Sequence, residues 1–130
     1  RNFQGFTEDG ADVMLGFGAS AIGKLPGLLY QNAKNAGAYR DTLAAGRPPV
    51  ERGVAVSAED AAAARVIEQL LCEGAADVPA AMLAARADQL APFTERGLIE
   101  TNGDRIAITD GGRPYARLVA SCFDRFRTVV

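Results

Sequence analysis

The sequence contains no histidine and only two cysteines among its 130 residues. The absence of histidine excludes a histidine-based catalytic triad, a histidine metal site and a histidine proton shuttle. Cys72 and Cys122 lie far apart in the sequence and show none of the short spacings that are typical of metal sites. We expect both to be buried thiols in a reducing compartment, with a disulfide as the alternative.

Long apolar runs and a strong net charge are also missing. No segment approaches the roughly 20 apolar residues of a membrane span, and the N-terminus shows no signal-peptide pattern. The net charge of −2 gives no electrostatic reason to expect nucleic acid or an anionic membrane as a partner. We therefore predict a cytoplasmic protein that binds neither nucleic acid nor a membrane. We also expect the chain to be a piece of a longer protein, because its first residues already belong to a motif.

The front part of the chain, residues 1–46, has the pattern of short strands followed by one helix. No charged residue occurs from Met14 to Gly23, and this run is typical of a buried strand that enters a tight turn. Within it, Asp12–Phe17 has the length of a strand, and Leu28–Gln31 is a second candidate. The segment Asn35–Ala45 is predicted to be a helix that stops at Gly46.

Two consecutive prolines, Pro48 and Pro49, mark a break in the chain. Because each proline restricts the residue before it, we interpret residues 47–56 as a linker between two regions of different character. Ser57 then has the position of a helix N-cap, which opens a predicted helical domain over residues 57–130.

The second region reads as helix, helix, helix, hairpin and helix, which is the order of a winged-helix unit. The predicted elements are helices at 58–72, 79–87 and 88–96, a β-hairpin around the Asn102-Gly103 turn, and a final helix that Thr109 caps and that reaches Arg127. The predicted fold class is therefore α+β and mostly helical. The winged-helix order says little about function, because small helical modules serve many functions.

The predicted third helix and wing lack the excess of basic residues that a DNA reader needs. In the helix, Asp88 and Glu95 oppose Arg96, and in the hairpin Glu100 and Asp104 oppose Arg105. The charge balance disfavours DNA binding and favours a structural or docking module.

Two motifs in the front part resemble those of one known family. The start, Arg1-Asn-Phe-Gln-Gly-Phe6, and the segment Leu15-Gly-Phe-Gly-Ala-Ser-Ala-Ile22 resemble successive blocks of the oxygen-independent coproporphyrinogen III oxidases. Gln31-Asn32, after Tyr30, fits the block that follows in that family. Three later segments are similar to the family's tail, namely Glu95-Arg-Gly-Leu-Ile99, Ile108-Thr-Asp-Gly-Gly112 and Cys122-Phe-Asp124. Phe6 replaces the family's usual tyrosine, which puts any hydrogen bond from that hydroxyl in doubt.

The resemblance implies a radical enzyme of haem synthesis that uses S-adenosylmethionine (SAM) and a 4Fe-4S cluster. Such enzymes remove two propionate carboxyls from coproporphyrinogen III to give protoporphyrinogen IX. The cluster ligands, three cysteines at Cys-x-x-x-Cys-x-x-Cys spacing, are absent from this sequence. The resemblance therefore implies that this chain is the C-terminal part of the enzyme and has no activity by itself.

By the same resemblance, Phe3, Gln4 and Ile22 are the candidate SAM-binding residues. Phe3 and Ile22 could wall an adenine or a methionine chain with apolar surface, and Gln4 could offer both a donor and an acceptor. The alternative is that Phe3 and Ile22 are ordinary core residues and that Gln4 caps a loop. No catalytic residue and no metal ligand are predicted.

The expected organisation follows from these observations. Residues 1–46 would end the radical SAM catalytic domain with a remnant of its last barrel strand, and residues 57–130 would form a winged-helix-like cover. The expected partners are the N-terminal barrel of the same polypeptide and coproporphyrinogen III. A second copy of the chain, bound through the exposed front segment, is a further expected partner. The alternative function is a non-catalytic winged-helix module for regulation or protein docking.

Overall fold

The computed structural model describes residues 11–127. The chain divides between Ala61 and Ala62 into two units. We call residues 11–61 the front unit and residues 62–127 the rear unit.

The front unit contains a three-stranded antiparallel sheet. Its strands are β1 (Ile22–Leu25), β2 (Leu28–Asn32) and β3 (Val50–Ala55), in the order β1-β2-β3. Gly27, in the turn that joins β1 to β2, has φ 75° and follows a proline, which is the combination that a tight Pro-Gly turn requires. The prediction of a strand at Leu28–Gln31 is confirmed.

Helix α1 (Ala36–Ala44) follows β2, as predicted. The Asn35 side chain caps it by accepting hydrogen bonds from the N–H groups of Gly37 and Ala38 at 2.8 and 3.0 Å. The helix stops before Gly46, whose φ of 70° ends regular helical backbone.

Two predictions for the front unit are wrong. The segment Asp12–Phe17 is not a full strand, because it contributes only an isolated bridge between Met14 and Lys24. Val50–Ala55, which we assigned to the linker, is strand β3 and pairs with β2 over most of its length. Both prolines precede this strand, so neither occupies a position where the sheet needs a backbone N–H donor. The Pro49 carbonyl accepts a hydrogen bond from the Ala33 N–H at 2.8 Å.

Helix α2 (Ala58–Cys72) spans the division between the units and has the predicted bounds. Its first turn is capped by Ser57, whose hydroxyl oxygen accepts from the Asp60 N–H at 3.1 Å and donates to the Asp60 carboxylate at 2.7 Å. This reciprocal pairing satisfies backbone donors that the first turn leaves open.

The rear unit continues with two short helices and a second antiparallel sheet. The helices are α3 (Ala80–Ala85) and α4 (Ala87–Glu95), close to their predicted bounds. The sheet has the order β4-β6-β5, and its strands are β4 (Ala75–Asp77), β5 (Ile99–Asn102) and β6 (Arg105–Ile108). The predicted hairpin is confirmed, with Gly103 and Asp104 between the paired residues Asn102 and Arg105. Strand β4 was not predicted, because a segment of three residues is too short to show a periodic pattern.

The final helix is shorter than predicted. Thr109 caps a 3₁₀ helix, Asp110–Tyr115, and α5 covers only Ala116–Ser121 instead of reaching Arg127. The glycine pair at 111–112 and Pro114 explain why regular α-helix begins only at Ala116, because glycine is a poor helix former and proline supplies no N–H. Nothing in the sequence of α5 explains why it ends at Ser121.

The apolar core of the described chain lies in the rear unit. Its buried members come from α2, α4, α5, the three strands of the sheet and the residues that follow β4 and α5. They include Leu70, Ile99, Ile106, Val119 and Phe123, each no more than 1% exposed. In the front unit, by contrast, Gly23 and Asn32 are the buried residues among positions 11–61. The rear unit is therefore held by apolar burial.

Neighbouring glycines in the 3₁₀ helix offer a matched test of this packing. A Cβ on Gly112 would overlap the Leu98 carbonyl, whereas a Cβ on Gly111 would meet its nearest atom at 3.9 Å. We expect Gly112→Ala to lower the free energy of unfolding by about 1–3 kcal/mol, because rigid backbone has to move. Gly111→Ala should change it by about 0.5 kcal/mol or less. Chemical denaturation measures both, and equal effects would contradict the packing described.

Candidate functional site: a glycine loop held by three side chains

The glycine-rich segment from Leu15 to Ile22 enters β1 as an irregular loop. Before it, the Met14 N–H donates to the Lys24 carbonyl at 2.8 Å, and the Met14 carbonyl accepts from the Lys24 N–H at 2.7 Å. A Cβ on Gly16 would lie 2.8 Å from the Ile22 backbone, and Gly18 has φ 101°. Both positions therefore require glycine.

Three side chains from β2 and α1 hold the backbone of this loop. The Asn32 side-chain Nδ2 donates to the carbonyls of Gly16 and Gly18 at 2.9 and 3.0 Å. The Gly16 N–H donates to the Tyr30 hydroxyl at 3.2 Å, and the Gly18 N–H donates to the Tyr39 hydroxyl at 3.0 Å. We call Tyr30, Asn32 and Tyr39 the clamp, because together they bind both polar backbone groups of each glycine.

The position of Tyr30 depends on glycines in the two neighbouring strands. Gly23 of β1 and Gly53 of β3 pair with Tyr30 on either side. A Cβ on Gly23 would overlap the Tyr30 ring, so the ring lies directly over that glycine. A side chain at position 23 would displace the ring, and its hydroxyl would then lose the Gly16 N–H.

An irregularity in the sheet accompanies the clamp. The register between β2 and β3 shifts between Gln31 and Asn32, so Gln31 pairs with Arg52 and Asn32 pairs with Val50. Glu51 is the extra residue of this bulge, and its carboxylate accepts from the Lys34 N–H at 3.1 Å. Bulges of this kind redirect side chains, and here the bulge lies beside the buried amide of the clamp.

The loop exposes its apolar side chains in an alternating row. Exposure alternates from Val13 to Gly18, with Val13, Leu15 and Phe17 on the exposed positions and glycine or methionine between them. Phe17 is 84% exposed, although it stands between two glycines whose backbones are fixed. We call Val13, Leu15 and Phe17 the apolar row.

An open cleft of about 350 Å³ lies on the clamp side of the sheet. Its walls carry the clamp residues and the side chain of Phe17. They also carry aliphatic side chains from the strands and α1, and the two prolines that precede β3, among them Leu25, Leu28, Leu43 and Pro48. None of the residues that line it is charged. The cleft therefore suits an apolar occupant with one polar edge, and no carboxylate, lysine or cysteine lines it for acid–base catalysis.

Of the three predicted SAM-binding residues, Ile22 falls within the described residues. Ile22 pairs with Gln31, whereas Tyr30 pairs with Gly23, so strand alternation puts Ile22 on the sheet face opposite the clamp and cleft. Phe3 and Gln4 lie outside the described residues. The clamp itself was not predicted as a site. The signal that could have pointed to it is an asparagine at the end of an apolar strand, two residues after a tyrosine.

The two cysteines are thiols, and the prediction that both are buried is half right. Cys122 is buried and Cys72 is exposed. Burial raises the pKa of the Cys122 thiol, and the nearby guanidinium groups of Arg127 and Arg86 partly oppose that shift. Among residues 11–127, no group of three or more Cys, His, Asp or Glu side chains is placed to bind a metal ion.

None of the helices between positions 11 and 127 combines the length and the apolar character that crossing a membrane requires.

Comparison with known proteins gives one consistent relationship. The chain is 40% identical over 134 residues to the oxygen-independent coproporphyrinogen III oxidase of Bradyrhizobium diazoefficiens, and 40% identical over 142 residues to that of Cereibacter sphaeroides. These matches cover 95% and 97% of this chain but only 30% of each relative. No protein-family model matches the chain.

A solved structure extends the match from sequence to fold. The coproporphyrinogen III oxidase of Escherichia coli, described as a radical SAM enzyme, superposes on 98% of this chain with a TM-score of 0.86 and 30% identity. The superposition covers 32% of that enzyme.

The fold and the sequence matches identify the same group of relatives, and the relative of known structure is described as a radical SAM enzyme. The chain matches the C-terminal part of the oxygen-independent coproporphyrinogen III oxidases, which confirms the resemblance in its sequence motifs.

Two asparagines allow the clamp to be tested by the same chemical change. Asn32 acts as a donor to two carbonyls, whereas Asn35 acts as an acceptor from two N–H groups. Asn32→Asp should lower the free energy of unfolding of the front unit by about 1–3 kcal/mol or more, because it removes both donors and buries oxygens against oxygens. Asn35→Asp keeps its acceptor and should stay within about 0.5 kcal/mol of the parent.

Hydrogen exchange of the Gly16 and Gly18 amides reports whether the loop is released, because these N–H groups bond the Tyr30 and Tyr39 hydroxyls while the loop is held. Asn32→Asp should speed exchange at both amides, and Asn35→Asp should leave them unchanged. Unaltered exchange in Asn32→Asp would show that the clamp does not hold the loop.

Proposed function

We propose that this chain is the C-terminal part of a cytoplasmic radical SAM enzyme that oxidatively decarboxylates coproporphyrinogen III to protoporphyrinogen IX. The observation that carries the proposal is the match over nearly the whole chain, at 40% identity and with a TM-score of 0.86. Because the chain spans about 30% of its relatives, the activity is proposed for the longer polypeptide rather than for these residues alone.

We propose that the front unit ends the catalytic domain and that the rear unit is a winged-helix-like cover. The antiparallel sheet β1-β2-β3 supports assigning β3 to the catalytic part, which moves the boundary from our predicted 46 to the division between Ala61 and Ala62, in the first turns of α2. The order of helices and hairpin in the rear unit, with the sheet β4-β6-β5, supports the winged-helix comparison.

The chain does not fit a 4Fe-4S cluster. It has two cysteines, one buried in the core and one exposed on α2, and the cluster needs three at short spacing. The ligands of the cluster would therefore come from the rest of the polypeptide, and no step of the reaction is assigned to Cys72 or Cys122.

We propose that the chain contributes to SAM binding through Phe3, Gln4 and Ile22. When bound, SAM would supply the radical that abstracts a substrate hydrogen before carbon dioxide leaves. Ile22 offers apolar surface next to Gln31, whose side-chain amide donates to the Ser20 carbonyl at 3.1 Å and so fixes the loop end beside it. Its half-buried position leaves part of that surface open to a ligand.

The proposed activity is tested on the full-length parent enzyme under anaerobic conditions. After reconstitution of the cluster, addition of SAM, an electron donor and coproporphyrinogen III should release two molecules of carbon dioxide for each protoporphyrinogen formed. The matched control is this chain alone, treated identically, which should form no stoichiometric cluster and release no carbon dioxide. A parent that binds no cluster and turns over no substrate would favour the docking-module alternative.

A pair of variants in the parent enzyme separates SAM binding from folding. Gln4→Ala should weaken SAM binding by about 1–3 kcal/mol through a lost hydrogen bond, with a stability cost within about 1 kcal/mol. Leu70→Ala removes a side chain that is 1% exposed in the rear core, so it should cost about 2–5 kcal/mol of stability and leave SAM affinity unchanged. A melting curve and a SAM titration measure both; normal SAM binding by Gln4→Ala would remove Gln4 from the site.

A further inference from the structure

The sheet face opposite the clamp is built from two rows of side chains that cross all three strands of the front sheet. Residues paired directly across neighbouring strands lie on the same face, so the register defines the rows. The rows are Ile22, Gln31 and Arg52, and Lys24, Leu29 and Val54. None of these residues lines the cleft, as strand alternation requires for side chains on the opposite face. We call the two rows the basic face.

The strand positions of the basic face carry two positive charges and no negative charge. Lys24 and Arg52 are both exposed, and neither forms an ion pair with a residue between positions 11 and 127. The acidic residue next to Arg52 in the sequence is Glu51, and its carboxylate accepts from the Lys34 N–H at 3.1 Å. Exposed cations without a counter-charge attract anions, and the planar fork of an arginine matches a carboxylate.

Apolar side chains lie between and beside the two cations. Val54 is 64% exposed, and Ile22 and Leu29 are half-buried. Strand spacing and rise put the Cα atoms of Lys24 and Arg52 about 12 Å apart, since they lie on the outer strands in neighbouring rows. The basic face therefore suits a broad apolar molecule that carries carboxylates at separate points of its edge.

The substrate of the proposed reaction has this chemistry, because coproporphyrinogen III is an apolar macrocycle with propionate carboxylates on its periphery. We propose that Lys24 and Arg52 bind propionate carboxylates of this substrate, while Ile22, Leu29 and Val54 contact the macrocycle. The inference rests on the proposed function, which supplies the substrate. It also agrees with the proposed SAM contact of Ile22, which would bring the radical to the same face.

The two cations suit the propionates that the reaction keeps. A carboxylate that leaves as carbon dioxide loses its charge on the way, so an ion pair to it would stabilise the ground state more than the transition state and slow the reaction. A retained carboxylate keeps its charge throughout, and its ion pair strengthens both states equally. Lys24 and Arg52 are therefore expected to lower KM and to leave kcat unchanged.

Steady-state kinetics of the reconstituted full-length parent test this role. Arg52→Gln and Lys24→Gln each remove one charge and keep a polar side chain. Each should raise KM for coproporphyrinogen III about tenfold, the effect of one lost charge-assisted hydrogen bond, and leave kcat within about twofold. The matched controls Arg40→Gln and Lys34→Gln change exposed cations of the front unit outside the basic face, and they should leave KM and kcat unchanged.

A binding measurement checks the same role without turnover. Coproporphyrin III, the oxidised and fluorescent macrocycle, is titrated with the parent enzyme and with the Arg52→Gln variant, and its fully methylated ester is titrated in parallel. Arg52→Gln should weaken binding of the free acid about tenfold and leave binding of the uncharged ester unchanged, because only the acid offers a carboxylate. Equal weakening of acid and ester would show that the substitution disturbs the sheet, and it would overturn the proposal.

The remaining outcomes separate this inference from the proposals on which it rests. A parent that turns over the substrate, with both variants at the parent KM, removes this inference alone. A rise in KM for SAM in place of KM for the tetrapyrrole would assign the cations to the SAM carboxylate and overturn the inference. A parent that turns over no coproporphyrinogen III removes the proposed activity, and the acid and ester titrations then decide on the basic face by themselves.

Discussion

The front unit depends on one buried carboxamide. Asn32 is 2% exposed, and its two amide hydrogens bind the carbonyls of Gly16 and Gly18. Buried polar groups are costly unless they are fully hydrogen-bonded, so this arrangement specifies a single conformation for the loop. The direction of the apolar row and the shape of the cleft follow from that conformation, since both include residues that Asn32 fixes.

The two units are stabilised by different interactions. The rear unit buries aliphatic and aromatic side chains from its helices and its sheet, and the free energy of that burial is not directional. The front unit buries little apolar surface and relies on hydrogen bonds between side chains and backbone. An apolar core tolerates side chains of similar volume, whereas a hydrogen-bonded clamp requires particular atoms at particular positions.

Local signals account for what the sequence could predict. The ends of helices could be predicted because an N-cap or a positive φ depends on one or two residues. Ser57 marks the start of one helix, and Gly46 and Gly97 mark the ends of two others. All three helices lie close to their predicted positions. The hairpin near Gly103 was predicted for the same reason. The sequence motifs also identified the related family correctly.

The failures share a dependence on partners distant in the sequence. Val50–Ala55 forms a strand because it pairs with β2. The residues of this segment, which follow two prolines, show no pattern that predicts the pairing. The clamp joins residues 14 to 21 positions apart, and no local pattern shows which side chains meet. Ile22 was predicted from resemblance alone, and its face of the sheet depends on a register that only the structure provides.

The ring of Tyr30 over Gly23 links the evolutionary histories of these two positions. A side chain at position 23 would displace the ring, and a smaller residue at position 30 would remove the hydroxyl that accepts from the Gly16 N–H. A change at either position therefore weakens the hold on the loop. We expect the two positions to vary together, although neither residue has to touch a ligand.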